Sequence, residues 1–461
     1  PQTPNPKPQT PNPKPLVGSL VHFNCIAMSA VANLINERES GAIRKTYEIM
    51  REERKISGIA AFFVLFKSCV GLGIFSYPYA YGKVGMVYGA IMSFFVCYIT
   101  TYGMYRLTTI SDEIEQKTQN LVKIEDYHFL SYYVTQKHSG KKVAGFVSTL
   151  AIIGTILNNI SVIISSVIEI SIHLAPFLGI DKFFIKLMII GLYLAITAYA
   201  IEPEKLKFFG LISGVFILFI CSIMFSENMI RLSEGKAEGV TYESFNLANT
   251  GIFLGMAGFA YEACGTIFTV RMTMKKRSNM PSLIIGVFAF IGVVFVLFSL
   301  GFYLAYGVEG LKTIAFEYYD RVDQPFMYFI GVAFCFCLLM FIPMYNIADS
   351  ELLVHFPSIG DNLKDSEGEI DRFKLLLFRW FLFILSCAPG LLTDKIELVM
   401  NLGGSIVIPV ISFFLPVALN FMNSKNQGRV VGVGQILHDG FIVLCGIGVM
   451  VLGLQYSITH S

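Results

Sequence analysis

The chain contains 461 residues, of which 54% are hydrophobic and only 15% are charged, and its formal net charge is +2. Soluble globular domains usually contain about 25% charged residues, so this composition excludes a soluble protein and predicts an integral membrane protein. The near-neutral charge provides no strongly basic face for phosphate groups, so no nucleic-acid partner is expected.

The first 55 residues differ in composition from the rest of the chain. Residues 1–15 contain a tandem repeat of PQTPNPK, a Pro-rich, low-complexity segment that favours polyproline II or disorder over a packed core. Residues 16–55 predict a helical extension whose first part is amphipathic and whose last part is charged. We expect this extension to lie on the membrane surface or to pack on partner subunits.

Eleven apolar segments follow, most of them near the roughly 20 residues that a membrane-spanning helix needs. The predicted spans cover residues 57–81, 84–110, 143–176, 183–201, 207–226, 248–270, 282–306, 325–355, 374–392, 396–422 and 435–457. The sequence therefore predicts an all-α membrane domain over residues 56–457, with about 11 transmembrane helices.

The distribution of Lys and Arg predicts how the chain is oriented. Basic residues cluster before the first span and in the loops after spans two, six and ten, which all fall on one side. The loop after span six contributes Arg271, Lys275, Lys276 and Arg277. Because basic loops stay inside, the N-terminus of this multi-pass protein is expected in the cytosol, or in the matrix if the membrane is mitochondrial. The sequence does not identify the membrane.

The first span contains residues that a plain spanning helix would avoid. Gly71, Gly73 and Pro78 lie within the stretch KSCVGLGIFSYPYAYGKVG, and both residue types weaken a helix. In hydrocarbon, unpaired backbone groups are tolerated only where they line a cavity or a site. The pattern therefore predicts a helix break between Val70 and Ile74, of the kind that secondary transporters use to hold a substrate.

The sixth span is unusual in the same way. It carries four glycines and the carboxylate of Glu262 within residues 251–265. Spans one and six begin two sets of five helices, and interrupted helices at matching positions indicate an inverted repeat with a binding site at its centre. The glycines are equally typical of close helix packing, and span six taken alone does not separate the two interpretations.

Two broken helices would suit one class of solute. A half-helix that starts in mid-membrane presents free N–H groups to a carboxylate, and one that ends there presents free carbonyls to an ammonium or a cation. A zwitterionic amino acid matches both ends, so the sequence favours such a molecule as the ligand.

Intramembrane charges indicate where an ion could be coupled. Lys67 either reaches a cavity or pairs with a carboxylate, or it snorkels to the membrane edge, and Glu262 either couples a proton or tethers the broken helix. Asn158, Asn159 and Glu169 on the third span either face the pathway or hydrogen-bond between helices. Proton or sodium coupling through Lys67 and Glu262 is the hypothesis, and other cofactors are not expected.

The sequence contains none of the patterns that would indicate an enzyme or a metal site. It has no phosphate-binding loop, no dinucleotide fingerprint, no zinc-protease motif and no nucleophile elbow. The nine cysteines form no C-x-x-C pair, and the histidines are scattered. We therefore expect neither catalytic residues nor metal ligands.

Three motifs together resemble the amino acid/auxin permease (AAAP) family of the APC superfamily. The string FKSCVGLGIFSYPYAYGKVG resembles the family's first span, and Asn401-Leu-Gly-Gly-Ser405 with Leu415-Pro416 resembles its tenth. Gly258-Phe-Ala-Tyr-Glu262, followed by a basic loop, resembles its sixth span. The resemblance covers about residues 56–457.

The resemblance implies a leucine-transporter-like fold, with a 5+5 inverted repeat plus one helix, and amino acid symport by alternating access driven by protons or sodium. It also implies a substrate site in the first and sixth spans. The residues carried over for the α-carboxylate are Val70, Gly71, Leu72, Gly73 and Ile74, and those for the amino group and side chain are Phe259, Ala260 and Tyr261.

One alternative stays open at this point. The chain could be a transporter-fold structural accessory subunit of a larger membrane complex, with little or no transport, because a fold does not guarantee its usual function. The N-terminal extension would then contact the partner subunits. The sequence does not determine the substrate, the coupling ion or the role of residues 1–55.

Overall fold

The computed structural model describes residues 56–119, 121–124, 126–199, 203–237, 239–318, 362–363 and 371–460. Within these ranges every regular element is a helix, and one isolated bridge joins Ile56 to Met274. The predicted all-α class is therefore confirmed. The Pro-rich repeat, the helical extension up to residue 55 and the predicted eighth span lie outside the described residues.

The helices follow the predicted spans closely, with shifted ends. The α-helices are α1 (Gly58–Cys69), α2 (Leu72–Val84), α3 (Met86–Lys117), α4 (Tyr127–Ser139), α5 (Lys141–Leu178), α6 (Lys182–Tyr199), α7 (Pro203–Ser233), α8 (Thr250–Ala260), α9 (Cys264–Thr273), α10 (Met280–Tyr306), α11 (Arg372–Leu392), α12 (Ile396–Leu402), α13 (Leu415–Asn426) and α14 (Val433–His460). Among the described residues, eight stretches are long and apolar enough to cross a membrane, or nine if α1 and α2 form one bent span.

The first span breaks where the glycine pattern predicts, but over fewer residues. Helix α1 ends at Cys69, and Gly71 precedes α2 with φ −103° and ψ −114°, outside the helical region. The two halves meet at an angle of 54°. Gly73 and Pro78 lie inside α2. The break is therefore confined to Val70 and Gly71.

The sixth span is interrupted later than its glycines suggest. Helix α8 ends at Ala260 and α9 begins at Cys264, so Tyr261 to Ala263 form the interruption. A Cβ added at Gly255 would lie 1.9 Å from Oδ1 of Asn401 in the tenth span. Span six therefore shows both close helix packing, at Gly255, and a helix break, after Ala260.

The tenth span is continuous but has an unusual pitch. Between α12 and α13 the backbone forms two π-helical segments, Gly403–Val407 and Pro409–Phe414. A Cβ on Gly404 would lie 1.7 Å from the carbonyl oxygen of Gly255. Wide turns of this kind often occur at functional sites, and here they bring span ten against the backbone of α8.

The sixth span lies at the centre of the domain. In its most apolar window 89% of the residues are buried, against 17% for the span formed by α11. The backbone also ties α1 to α9, because Ile56 donates its N–H to the Thr273 carbonyl at 2.8 Å and accepts from Lys275 N–H at 3.2 Å. These contacts hold the two broken spans together at one end.

Helix α4 has no counterpart among the predicted elements. The sequence between the second and third spans is basic and polar, and it predicts a loop. The structure instead forms a helix that Asp126 caps, its carboxylate accepting the Phe129 N–H at 2.7 Å. Tyr127, Leu130 and Val134 bury one face of α4, which gives this segment the packing that stabilises a helix.

Candidate functional site

A central crevice lies where the two helix breaks face α5. Its lining residues are Lys67, Ser68, Cys69, Gly71 and Gly73 from the first span, Asn158, Asn159, Val162 and Ser166 from α5, and Phe259, Ala260, Glu262, Ala263, Gly265 and Thr266 from the sixth span. Its volume is about 40 Å³, which accommodates about three water molecules. An amino acid would require the lining helices to move apart.

The two breaks touch each other through small residues. A Cβ added at Gly73 would lie 2.8 Å from Cβ and 3.0 Å from Cα of Ala260. Glycine at this position therefore allows the backbones of α2 and α8 to meet directly. A larger side chain would push the half-helices apart at the crevice.

The start of α2 leaves its backbone donors without a side-chain cap. Gly71 occupies the N-cap position and has no side chain to accept a hydrogen bond. The first N–H groups of a helix have no intrahelical partner and carry the positive end of the dipole. This end of α2 therefore offers the donors that a carboxylate needs.

Lys67 lies in the last turn of α1 and is only 3% exposed. Its Nζ lies 3.6 Å from the position that a Cβ on Gly71 would occupy. The ammonium therefore reaches the break, which favours the cavity interpretation over snorkelling to the membrane edge.

Glu262 is held by donors from two elements. Its Oε1 accepts the N–H of Cys264, the first residue of α9, and its Oε2 accepts Nδ2 of Asn158 at 2.6 Å. The carboxylate thus caps α9 and links it to α5. This geometry favours the tethering interpretation of Glu262, and it places Asn158 between helices as well as on the crevice.

The remaining predicted site residues lie around the crevice rather than on its lining. Val70, Ile74 and Tyr261 are fully buried. Leu72 is the first residue of α2, and only its backbone is described. The Tyr261 ring packs 5.1 Å from the ring centroid of Phe295.

Sequence reasoning missed several lining residues. Val162 and Ser166 follow Asn158 at intervals of four, so they share one face of α5. That spacing was visible in the sequence, but only the structure shows which face of α5 meets the breaks. Thr266 and Gly265 were assigned no role in the site.

A second group of buried charges lies at the end of α9, away from the crevice. Arg271 is fully buried; its Nη2 donates to Oδ1 of Asp112 at 2.6 Å and to Oε2 of Glu115 at 2.8 Å. Its Nη1 also donates to Oε1 of Glu115 and to the Ile124 carbonyl. The prediction that Arg271 belongs to the loop after span six is therefore wrong, because α9 extends to Thr273 and brings Arg271 against two acids of α3.

Comparisons with known proteins give consistent results for nearly the whole chain. A family model described as transmembrane amino acid transporter protein matches residues 54–459. The amino acid transporter ANT1 of Arabidopsis thaliana is 23% identical over 407 residues, which cover 85% of this chain and 90% of that protein. The vacuolar amino acid transporter 3 of Saccharomyces cerevisiae is 22% identical over 420 residues, which cover 87% of this chain and 56% of that protein.

The fold also has a counterpart among solved structures. The crystal structure of MhsT in complex with L-phenylalanine aligns with a TM-score of 0.54 and 12% identity, over 87% of this chain and 98% of that one. At this identity the likeness concerns the fold alone. It confirms the leucine-transporter-like fold that the family resemblance implies.

Proposed function

The chain belongs to the family of transmembrane amino acid transporter proteins, and from this premise we propose that it carries an amino acid across its membrane by alternating access, driven by a proton or sodium gradient. Its family and relatives are transporters, so it is not an enzyme. It is a multi-pass integral membrane protein, and the cytosolic N-terminus stays a prediction.

The observation that carries this proposal is the uncapped start of α2 beside Lys67. We assign the substrate carboxylate to the backbone from Val70 to Ile74, where α2 presents free donors. We assign the amino group and side chain to Phe259, Ala260 and Tyr261, where α8 ends and the negative end of its dipole lies.

The narrow crevice fits one step of such a cycle. A crevice of about 40 Å³ is small for an amino acid, which supports a cycle in which the lining helices move apart before the substrate binds. Opening would bend the first span at Gly71 and separate Gly73 from Ala260. Breaks of this kind let half-helices move while the rest of the bundle stays packed.

Lys67 and Glu262 are the coupling groups proposed from the sequence, and their surroundings give them different parts in the cycle. Lys67 supplies a positive charge next to the break. Glu262 already accepts hydrogen bonds from Asn158 and from the start of α9. A change in its charge would therefore act on coupling by shifting the position of α9.

Uptake into proteoliposomes tests the proposal. We expect the purified chain to exchange at least one of four labelled substrates, L-alanine, L-leucine, L-phenylalanine and L-glutamate, against the same unlabelled molecule inside. Gly73→Ala should lower exchange, because the new Cβ meets Ala260 at 2.8 Å.

The matched control is Gly286→Ala on α10, where an added Cβ has no neighbour within 4 Å. This variant should exchange like the wild type. Absence of exchange by folded wild-type protein for every amino acid tested, under every gradient, would contradict transport and favour the structural subunit.

A further inference from the structure

Glu169 is a buried acid that the proposed site does not use. It lies on α5, is 1% exposed, and both of its carboxylate oxygens lack a hydrogen-bond partner among the described residues. Burying an ionised carboxylate without donors is strongly unfavourable. A residue kept in this state in a membrane protein indicates a functional group rather than a packing element.

The position of Glu169 continues the lining of the crevice. Asn158, Val162 and Ser166 line it from one face of α5, and Glu169 follows Ser166 by three residues, which keeps it on the same face. His173 comes four residues later, also buried. The stripe therefore runs along α5 from the crevice toward the end of that helix.

Two charged groups from other elements act on Glu169. The ammonium of Lys67 on α1 attracts its charged form, and the carboxylate of Glu317, in the 3-10 turn Ala315–Tyr318, repels it. Glu317 is exposed, and its neighbour Phe316 packs 5.1 Å from the His173 ring. About one turn before Glu169, Ser166 lines the crevice together with Lys67, and about one turn after it His173 packs on the turn that carries Glu317.

Whether Glu169 is charged or neutral depends on where Lys67 lies. Glu262 has two donors that stabilise its charge, whereas Glu169 has, among the described residues, only the attraction of Lys67 to offset its burial. Lys67 belongs to the last turn of α1, next to the bend at Gly71. A movement of α1 at this break would therefore change the proton affinity of Glu169.

We propose that Glu169 is the residue that binds and releases the coupled proton, and that its partner across the break is Lys67. This inference rests on the proposed transport function. When Lys67 approaches, Glu169 releases its proton and the two form a charge pair. When α1 bends away, the carboxylate takes up a proton and becomes a neutral carboxylic acid. The proton exchanges along the α5 face that ends at His173.

Two assays on the same proteoliposomes separate coupling from transport. Exchange without any gradient reports substrate passage, and accumulation driven by an inward proton gradient reports coupling. One coupled proton and a gradient of one pH unit support an accumulation of about tenfold, since tenfold corresponds to about 1.4 kcal/mol. We expect the wild type to approach this ratio. Glu169→Gln should retain exchange and accumulate to a ratio of only about one.

The matched control is Glu234→Gln, the same chemical change at an exposed residue that pairs with Lys236. It should exchange and accumulate like the wild type. Glu169→Asp retains a titratable group, so it should still accumulate substrate, with a pH dependence displaced from that of the wild type. This second variant keeps the test informative if the glutamine variant does not fold.

The outcomes distinguish this inference from the proposed function. A wild type that exchanges amino acids but does not respond to a proton gradient would overturn the role of Glu169 and leave transport intact. Wild-type-like accumulation by Glu169→Gln would overturn it as well. Loss of exchange in a folded Glu169→Gln protein would assign Glu169 to the substrate path instead.

Discussion

Two groups of buried charges in this domain are built in opposite ways. Around Arg271, every strong donor meets an acceptor, and two acids share one guanidinium at 2.6 and 2.8 Å. Around Glu169, no donor from the described residues reaches the carboxylate. Because a fully paired charge resists change and an unpaired one depends on its surroundings, the first group fixes a position and the second can respond to motion.

The largest expected effect comes from removing the cation of the paired group. Arg271→Met removes the guanidinium that binds the buried Glu115 and the partly buried Asp112, and leaves Arg277, 3.9 Å from Oε1 of Glu115, as the nearest remaining cation. We expect the free energy of unfolding to fall by about 3–5 kcal/mol, measured by denaturant unfolding in detergent.

Arg429→Met provides the comparison for that measurement. Arg429 pairs with Glu113 at 2.6 Å, but its side chain is 48% exposed, so its loss should cost less than about 1 kcal/mol. Equal losses in the two variants would show that the Arg271 group has no special role in stability.

A smaller effect on stability should distinguish Glu115, which Arg271 pairs, from Glu169. Glu115→Gln removes a charge that accepts from Arg271, and we expect a loss of about 1.5–3 kcal/mol. Glu169→Gln removes a charge to which no described residue donates, so the unfolding free energy should change by less than about 1 kcal/mol in either direction. A larger loss for Glu169→Gln than for Glu115→Gln in the same unfolding assay would reverse the assignment of the two groups.

The smallest effect concerns an ion pair at the edge of the domain. Lys186 on α6 donates to Oδ1 of Asp394 at 2.7 Å, and this hydrogen bond lowers the pKa of Asp394. A lowered pKa in the folded state adds stability at neutral pH that is lost as the pH falls through the folded pKa, below the unfolded value of about 3.9.

Because Asp394 is half-exposed, this contribution should stay below about 1 kcal/mol. We expect Asp394→Asn to be slightly less stable than the wild type at pH 7 and to match it once Asp394 is protonated. Unfolding curves at several pH values measure the difference. A difference that grows toward acid pH would contradict this interpretation of the pair.

Local sequence signals were enough to locate the helix breaks. Glycine and proline act on their own backbone, so the stretch around Gly71 marks the first break whatever surrounds it. The exact residues depend on packing: Pro78 stays in α2, and the sixth span breaks at Tyr261 rather than at Gly258. Helix α8 packs on span ten through Gly255 and Gly404, a contact that no local pattern contains.

Pairings over long sequence distances could not be read from the sequence. Arg271 looks like one more basic residue of a solvated loop until α3 supplies Asp112 and Glu115 from 156 to 159 positions away. Glu262 likewise acquires its partner Asn158 from another helix. Glu169 was visible as an intramembrane acid, but only the folded structure shows that none of the described residues donates to it.

The bridge at Ile56 makes a mechanical link between the two broken spans. Because Ile56 exchanges hydrogen bonds with Thr273 and Lys275, the beginning of α1 cannot swing away from the end of α9 without breaking both of them. Helices α1 and α9 are therefore expected to move as one unit.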